Sequence, residues 1–199
     1  MLYQQSFSGK IVVLNGFPGT GKFTILKHAK ELLPPNKTCL LDNHLLIDPV
    51  QAIHHNRSPE HYELLRKVQG PIFEELSKLA QNGHIVLMTA CLADDNNTDA
   101  DFFQEHLAMV HGTDVPLFWV NVHCDQAVLE QRVGCPERSQ SAKTKLTDVG
   151  VLWKMANEHR LIQPRESGDR SARLVVESLD VSGAMVLTQC RAGIKLAPE

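Results

Sequence analysis

The sequence predicts an α/β fold, a five-stranded parallel sheet with helices on both faces, and three observations carry that prediction. Short apolar runs recur at Ile11–Asn15, Thr38–Leu41, His84–Thr89, Leu117–Val122 and Leu174–Glu177. Between them lie longer segments whose apolar residues return at helical spacing. Strands that alternate with helices are joined by crossovers and therefore pair in parallel. The third observation is Gly16-Phe17-Pro18-Gly19-Thr20-Gly21-Lys22, a glycine-rich stretch that ends the first apolar run and opens the first helical segment. A chain of 199 residues, 43% hydrophobic, is long enough for one sizeable core and short for two, so a single domain spanning 1–199 is expected.

Ile11–Asn15 is the first strand. The helix after it covers about 21–33, with Phe23, Leu26, Ala29 and Leu33 on its apolar face, and stops at Pro34-Pro35. Thr38–Leu41 is the second strand and runs into Asp42-Asn43-His44; Asp48, before Pro49, reads as a turn residue. Ser58-Pro59-Glu60 is a helix start, with a capping hydroxyl, proline at the first helical position and an acid behind it. That helix continues through Tyr62, Leu65 and Val68 to Ile72, Leu76 and Leu79, and Gly70-Pro71 is expected to kink or divide it. The region 43–82 is thus largely helical.

The third strand, His84–Thr89, is followed by a polar loop over 91–98, and Asp99 and Asp101 suit the first turn of the next helix. Leu117–Val122 is the fourth strand and 125–133 its helix. Residues 132–146, rich in Ser, Arg and Lys, read as a mobile lid. Residues 146–158 are expected to be helical and 160–170 a loop. Leu174–Glu177 is the fifth strand, and a turn follows at 180–183.

The glycine stretch fits the pattern G-x-x-x-x-G-K-[ST] at every position except the last. In such a loop the glycines let backbone N–H groups converge on phosphate oxygens, the helix N-terminus adds its positive dipole end, and the lysine adds a compact cation. Gly16, Phe17, Pro18, Gly19, Thr20, Gly21, Lys22, Phe23 and Thr24 are the candidate nucleotide contacts. Phe23 stands where the pattern places a hydroxyl for Mg²⁺. Thr24 is about 100° further round the helix and does not simply replace it. A plain strand-to-helix turn is the alternative reading of the loop.

A net charge of -3 and a pI near 6.4 give no general attraction to nucleic acid or anionic membrane. The charge is uneven: 82–126 holds acids and no Lys or Arg, whereas basic residues prevail over 130–173, a distribution better suited to a small anionic ligand than to a polymer. Five scattered cysteines without a C-x-x-C pair read as reduced thiols, and no leader or membrane-spanning run is found, so a cytoplasmic location is expected. The ten histidines show no H-x-x-x-H spacing and read as surface or packing residues, not metal ligands.

The glycine loop, with the LLDNH and CLADD stretches behind it, resembles the P-loop small-molecule kinases, the group of shikimate, gluconate, chloramphenicol and adenylate kinase-like enzymes, and within it an ATP-binding subgroup. The likeness covers most of the chain in layout, with the loop as its specific motif. It implies a three-layer P-loop fold with strand order 2-3-1-4-5, ATP and Mg²⁺ as cofactors, and a small-molecule acceptor bound between the second and third strands and the lid. By that resemblance Lys22 holds the β- and γ-phosphates. Asp42 takes the acceptor hydroxyl's proton or positions Mg²⁺; a capping or turn acid is its alternative. Arg132 and Arg138 are the lid cations, with a solvated helix-end arginine as the alternative for Arg132. Ser182 and Gly183 sit where such folds contact adenine.

Asn43, His44 and Thr89 surround the implied acceptor region, Thr89 also as a substitute metal ligand, and Arg57 and Arg66 flank it as anion holders or solvated helix residues. Asp94, in an acidic stretch that runs to Asp101, suits an amino-bearing acceptor. The function implied is ATP-dependent transfer of phosphate to a hydroxyl of a small molecule. The alternatives are a nucleotide-binding regulator or degenerate pseudoenzyme, motivated by Phe23, and a nucleic-acid end kinase, against which the charge speaks.

Overall fold

The structure is a computed structural model that describes residues 9–134, 146–164 and 172–183. Five strands, β1 (Lys10–Asn15), β2 (Thr38–Leu41), β3 (Ile85–Ala90), β4 (Leu117–His123) and β5 (Leu174–Asp180), form one parallel sheet in the order β2-β3-β1-β4-β5. The helices are α1 (Lys22–Glu31), α2 (His44–Ile53), α3 (Pro59–Gln81), α4 (Asn97–Ala108), α5 (Gln126–Val133) and α6 (Val149–Glu158). Fold class and strand order are those implied by the sequence.

The alternation of side chains along β1 divides the core in two. Ile11 and Val13 pack with Val86, Met88, Leu117 and Trp119 under α3 and α4, where Leu65, Phe73, Leu76, Phe102 and Phe103 close the layer. Val12 and Leu14 face the other way and meet Ile25 and Leu26 of α1. Both faces of the sheet are therefore covered, as its continuous apolar strands require. The chain steps from β1 out to β2, back to β3, and then across β1 to β4. That reversal opens a crevice beyond the carboxyl ends of the central strands.

A buried polar ladder closes this end of the sheet. Asn15, fully buried, donates to the Leu92 carbonyl (3.1 Å) and to Asn121 Oδ1 (3.0 Å), and accepts the Leu92 N–H (2.8 Å). Asn121 passes the chain on to the Ile162 carbonyl (2.9 Å), where the Trp119 indole N–H also donates (3.3 Å). The polar side chains satisfied there fix the segments around Leu92 and Ile162 against the strand ends.

Two expectations are corrected. Asp48-Pro49 is no turn but lies inside α2, where Asp48 meets His44 one helical turn earlier (3.0 Å). Proline removes one backbone donor there, and burial of Leu46 and Val50 holds the helix. Gly70-Pro71 does not divide α3, whose buried face Leu65, Gln69, Phe73, Leu76 and Ala80 runs through it. The loop expected from 160 is irregular over the described residues 162–164 and is tied by one antiparallel bridge from Leu161 to Ala93. Ser58 caps α3 by accepting the His61 N–H, as its sequence indicates.

His106 on α4 is buried between Phe73 and Trp119, edge to face with both at ring-centre distances of 4.8 and 5.6 Å. Burial holds its pKa down at about 4, against the opposing effect of the Nδ1 hydrogen bond to the Phe102 carbonyl (2.7 Å). The unfolded chain takes up this proton below about pH 6.5, whereas the folded chain keeps the ring neutral down to about pH 4. Stability is therefore lost as pH falls through that window, by at most ~3 kcal/mol from this residue. Urea midpoints measured between pH 7 and 4 should fall more steeply for the parent chain than for His106→Phe, which keeps the ring contacts.

Candidate functional site

The loop after β1 folds tightly because its backbone leaves the L-residue regions at two points. Gly19 and Gly21 have φ of +94° and +82°, values that side chains with a Cβ rarely adopt. A Cβ on Gly19 would also stand 2.9 Å from Val133 of α5, so that helix buttresses the loop from behind. At Gly21, the N-cap of α1, a Cβ would meet nothing within 4 Å. Positive φ without crowding is the geometry of a backbone surface left open for a ligand. Thr20 is buried and turns its hydroxyl to the Phe17 carbonyl (2.9 Å), while the Lys22 ammonium folds over the loop to the carbonyls of Gly16 and Phe17 (3.1 Å for the latter) and to Thr20 Oγ1 (3.4 Å).

The loop forms one wall of a cavity of about 880 Å³ that reaches between α2, α3 and α4. Asp42 lies on this cavity just past β2 and is nearly fully buried. Thr89, at the end of β3, donates to Asp42 Oδ1 (2.9 Å) and accepts the Asn43 N–H (3.0 Å). The hydroxyl expected to contact the acceptor or metal is thus engaged with Asp42 and Asn43, and Thr89 orients the carboxylate. Asn43, His44 and Arg57 also line the cavity. Asp99 lines it too, bound to the Ala93 N–H (2.9 Å), and burial holds its carboxyl above the usual range.

Phe23 and Thr24 sit on the first turn of α1 and both face the cavity, Phe23 with 39% of its surface exposed. The residues present fit the phosphates of a nucleotide: two glycine conformations, a helix N-terminus and a lysine. For Mg²⁺ the first turn of α1 supplies a phenyl ring where a hydroxyl is usual, and Asp42 is the cavity carboxylate beside the loop. A metal that keeps several waters and binds through phosphates needs only one or two carboxylates, so Asp42 fits it. Among the described residues no group of three His, Cys, Asp or Glu is arranged to hold a metal ion.

Two expected acceptor residues are not brought to the cavity. Arg66 instead bridges α3 to α4, pairing with Asp101 (2.9 Å) and Glu105 (3.0 Å) over the Phe102 ring. Asp94 is exposed and tied through its N–H to the Arg160 carbonyl (2.9 Å). Arg132 reaches the Val181 carbonyl (3.3 Å), next to Ser182, whose hydroxyl accepts the Asp125 N–H (2.7 Å). The structure thereby brings Arg132 to the turn containing Ser182 and Gly183, apart from the cavity lining. Arg138 lies outside the described residues.

The cavity also contains residues that the sequence did not single out: His61 and His106, read with the other histidines as surface or packing residues, and Gln69, all buried. Their signal is a polar residue on an apolar helical stripe, at positions 61, 65, 69 and 73 of α3 and beside Phe102 and Phe103 on α4.

No protein-family model matches the chain, and no curated protein matches it. Solved structures do. A putative kinase of Chloroflexus aurantiacus superposes with a TM-score of 0.64 over 96% of this chain and 100% of its own, at 14% identity. The APS kinase of Mycobacterium tuberculosis, solved with AMPPNP and APS, gives 0.52 over 95% and 97%, at 21% identity. The tunicamycin resistance protein of Deinococcus radiodurans gives 0.53 over 96% and 99%, at 16% identity. With its strand order and glycine loop, the chain has the fold of the P-loop kinases.

Proposed function

We propose that the protein is an ATP-dependent phosphotransferase acting on a hydroxyl of a small molecule. One observation carries this reading: a single cavity has the glycine loop and Lys22 on one wall, a buried and oriented Asp42 on another, and room beyond them for an acceptor. The kinase-fold likeness supports it.

In the proposed reaction the loop N–H groups and Lys22 hold the terminal phosphates of ATP. The acceptor hydroxyl attacks the γ-phosphorus, its proton passes to Asp42, and the bond to the bridging oxygen breaks to release ADP. Thr89 keeps the Asp42 carboxylate in one orientation, and the apolar walls exclude water that would otherwise take the phosphate. Alternatively, Asp42 would hold Mg²⁺, which would supply neutralisation of phosphate charge. Arg132 beside the turn 180–183 is the residue proposed to meet the base.

Incubation with labelled ATP, Mg²⁺ and a panel of hydroxylated metabolites tests the reading, and nucleotide binding without label on any acceptor would sink it. Asp42→Asn should lower transfer by about 10²–10⁴-fold while ATP still binds. Lys22→Ala should weaken both binding and transfer, the latter by about 10²-fold or more.

A second reading, a nucleotide-binding regulator descended from a kinase, is favoured by Phe23 at the cavity mouth. Phe23→Ser separates the two in steady-state kinetics. On the phosphotransferase reading Mg²⁺-dependent turnover stays level or falls, whereas a rise of tenfold or more, on the order of 1.4 kcal/mol of barrier, would mark a decayed site.

A further inference from the structure

The cavity has an inner compartment between α3 and α4, walled by Leu65, Phe73 and Phe102, whose polar groups have a common character. His106 is 95% buried, and its Nδ1 meets the Phe102 carbonyl, which can only accept. Nδ1 therefore carries the proton and Nε2 is a lone-pair acceptor in the neutral ring. That Nε2 has no hydrogen bond to the protein, yet every fully buried side-chain nitrogen and oxygen of the described residues has a partner. The free nitrogen must retain accessible surface, and the residue lines the cavity. The depressed pKa of His106 keeps the ring in this accepting form at neutral pH.

Gln69, equally buried, repeats the pattern. Its amide nitrogen donates to Glu105 Oε2 (3.1 Å), which leaves Oε1 as a second acceptor on the same cavity. His61, two turns nearer the start of α3, has Nδ1 on the His54 carbonyl (3.1 Å) and its other nitrogen without a protein partner.

The charged residues that line the cavity are Lys22, Asp42, Arg57 and Asp99. None lies on α3, and Asp99 is two turns from His106, about 10 Å along α4. The inner compartment therefore offers acceptors and apolar walls without a charged lining residue of its own, and the Glu105 carboxylate behind Gln69 is already paired with Arg66 (3.0 Å). A charged group placed there would lose its hydration without compensation, whereas a neutral donor would gain a partner and satisfy one of the idle acceptors.

We propose that this compartment selects uncharged molecules with an apolar body and a hydrogen-bond-donating end, of the class of aryl or alkyl diols, and that His106 and Gln69 receive the donating end. Naming such a molecule the phosphate acceptor rests on the phosphotransferase reading; its binding does not. On that reading its second hydroxyl is the one that takes the phosphate. Sugar phosphates, nucleotides and amino-bearing compounds are disfavoured.

Three probes of one shape test this by NMR titration of the whole chain: 1,4-benzenedimethanol, 4-(hydroxymethyl)benzoate and 4-(aminomethyl)benzyl alcohol. The diol should bind at least about tenfold more tightly than either charged probe. His106→Phe, which retains the ring packing, should weaken the diol about fivefold, the size of one neutral hydrogen bond, and leave the charged probes unchanged. Gln69→Met should do the same and serves if the first variant does not fold. Equal binding of a charged probe, no saturation by the diol at tens of millimolar, or indifference of its affinity to both substitutions would overturn the proposal. Transfer from ATP to the diol is read separately: diol binding without transfer speaks against the phosphotransferase reading and upholds the compartment.

Discussion

Covering a parallel sheet on both faces is the constraint on which the rest of this structure depends. Every buried apolar side chain of β1 is consumed by one core or the other, Ile11 and Val13 by the larger and Val12 and Leu14 by the smaller. Chemistry is left to the strand ends, where the backbone must turn and polar groups must be satisfied. Asn15, Asp42 and Thr89 all stand at or next to such ends, and all three are buried polar residues with partners on a neighbouring strand or loop. The ladder from Asn15 through Asn121 to Ile162 and the hydrogen bond from Thr89 to Asp42 answer one problem at two points. Each satisfies a polar group that the closing of the sheet would otherwise strand, and in doing so fixes the rim of the crevice.

Much of this was legible in the sequence because it rests on local rules. Apolar runs of strand length, a glycine loop and Ser58-Pro59 are signals a few residues long, and each stands where it was expected. The misreadings arise where tertiary contacts override local ones. Pro49 and Pro71 look like breaks because proline costs a backbone hydrogen bond, but each helix carries a buried apolar face that outweighs one lost bond. Arg66, near the acceptor region in sequence, reads there as an anion holder or a solvated helix residue. Its partners Asp101 and Glu105 are 35 and 39 residues away, and no short-range pattern announces them.

The candidate site divides along the same line. Lys22 and the glycines belong to one continuous motif, whereas Asp42 acquires its meaning only when β2 and β3 bring it to Thr89. His106 and Gln69 are harder still. A polar residue on a buried helical face is compatible with simple packing, and only the hydrogen-bond partners distinguish a satisfied side chain from one with a lone pair turned to a cavity. Nδ1 of His106 is used internally and Nε2 is not. That asymmetry cannot be read from spacing.

The two parts of the cavity also place opposite demands on a ligand. At the loop, N–H groups, a helix N-terminus and Lys22 favour concentrated negative charge. Between α3 and α4 the protein presents lone pairs and hydrocarbon, which repel it. A molecule that carries phosphate is drawn to the first region and excluded from the second, while a neutral alcohol is tolerated in both and held only in the second. On the proposed reading, opposed polarity across one cavity keeps nucleotide and acceptor in their own places without a gate between them. It also bears on Phe23. A phenyl ring on the first turn of α1 lowers the local polarity beside the loop, and would suit a site whose acceptor is apolar better than one whose acceptor is charged.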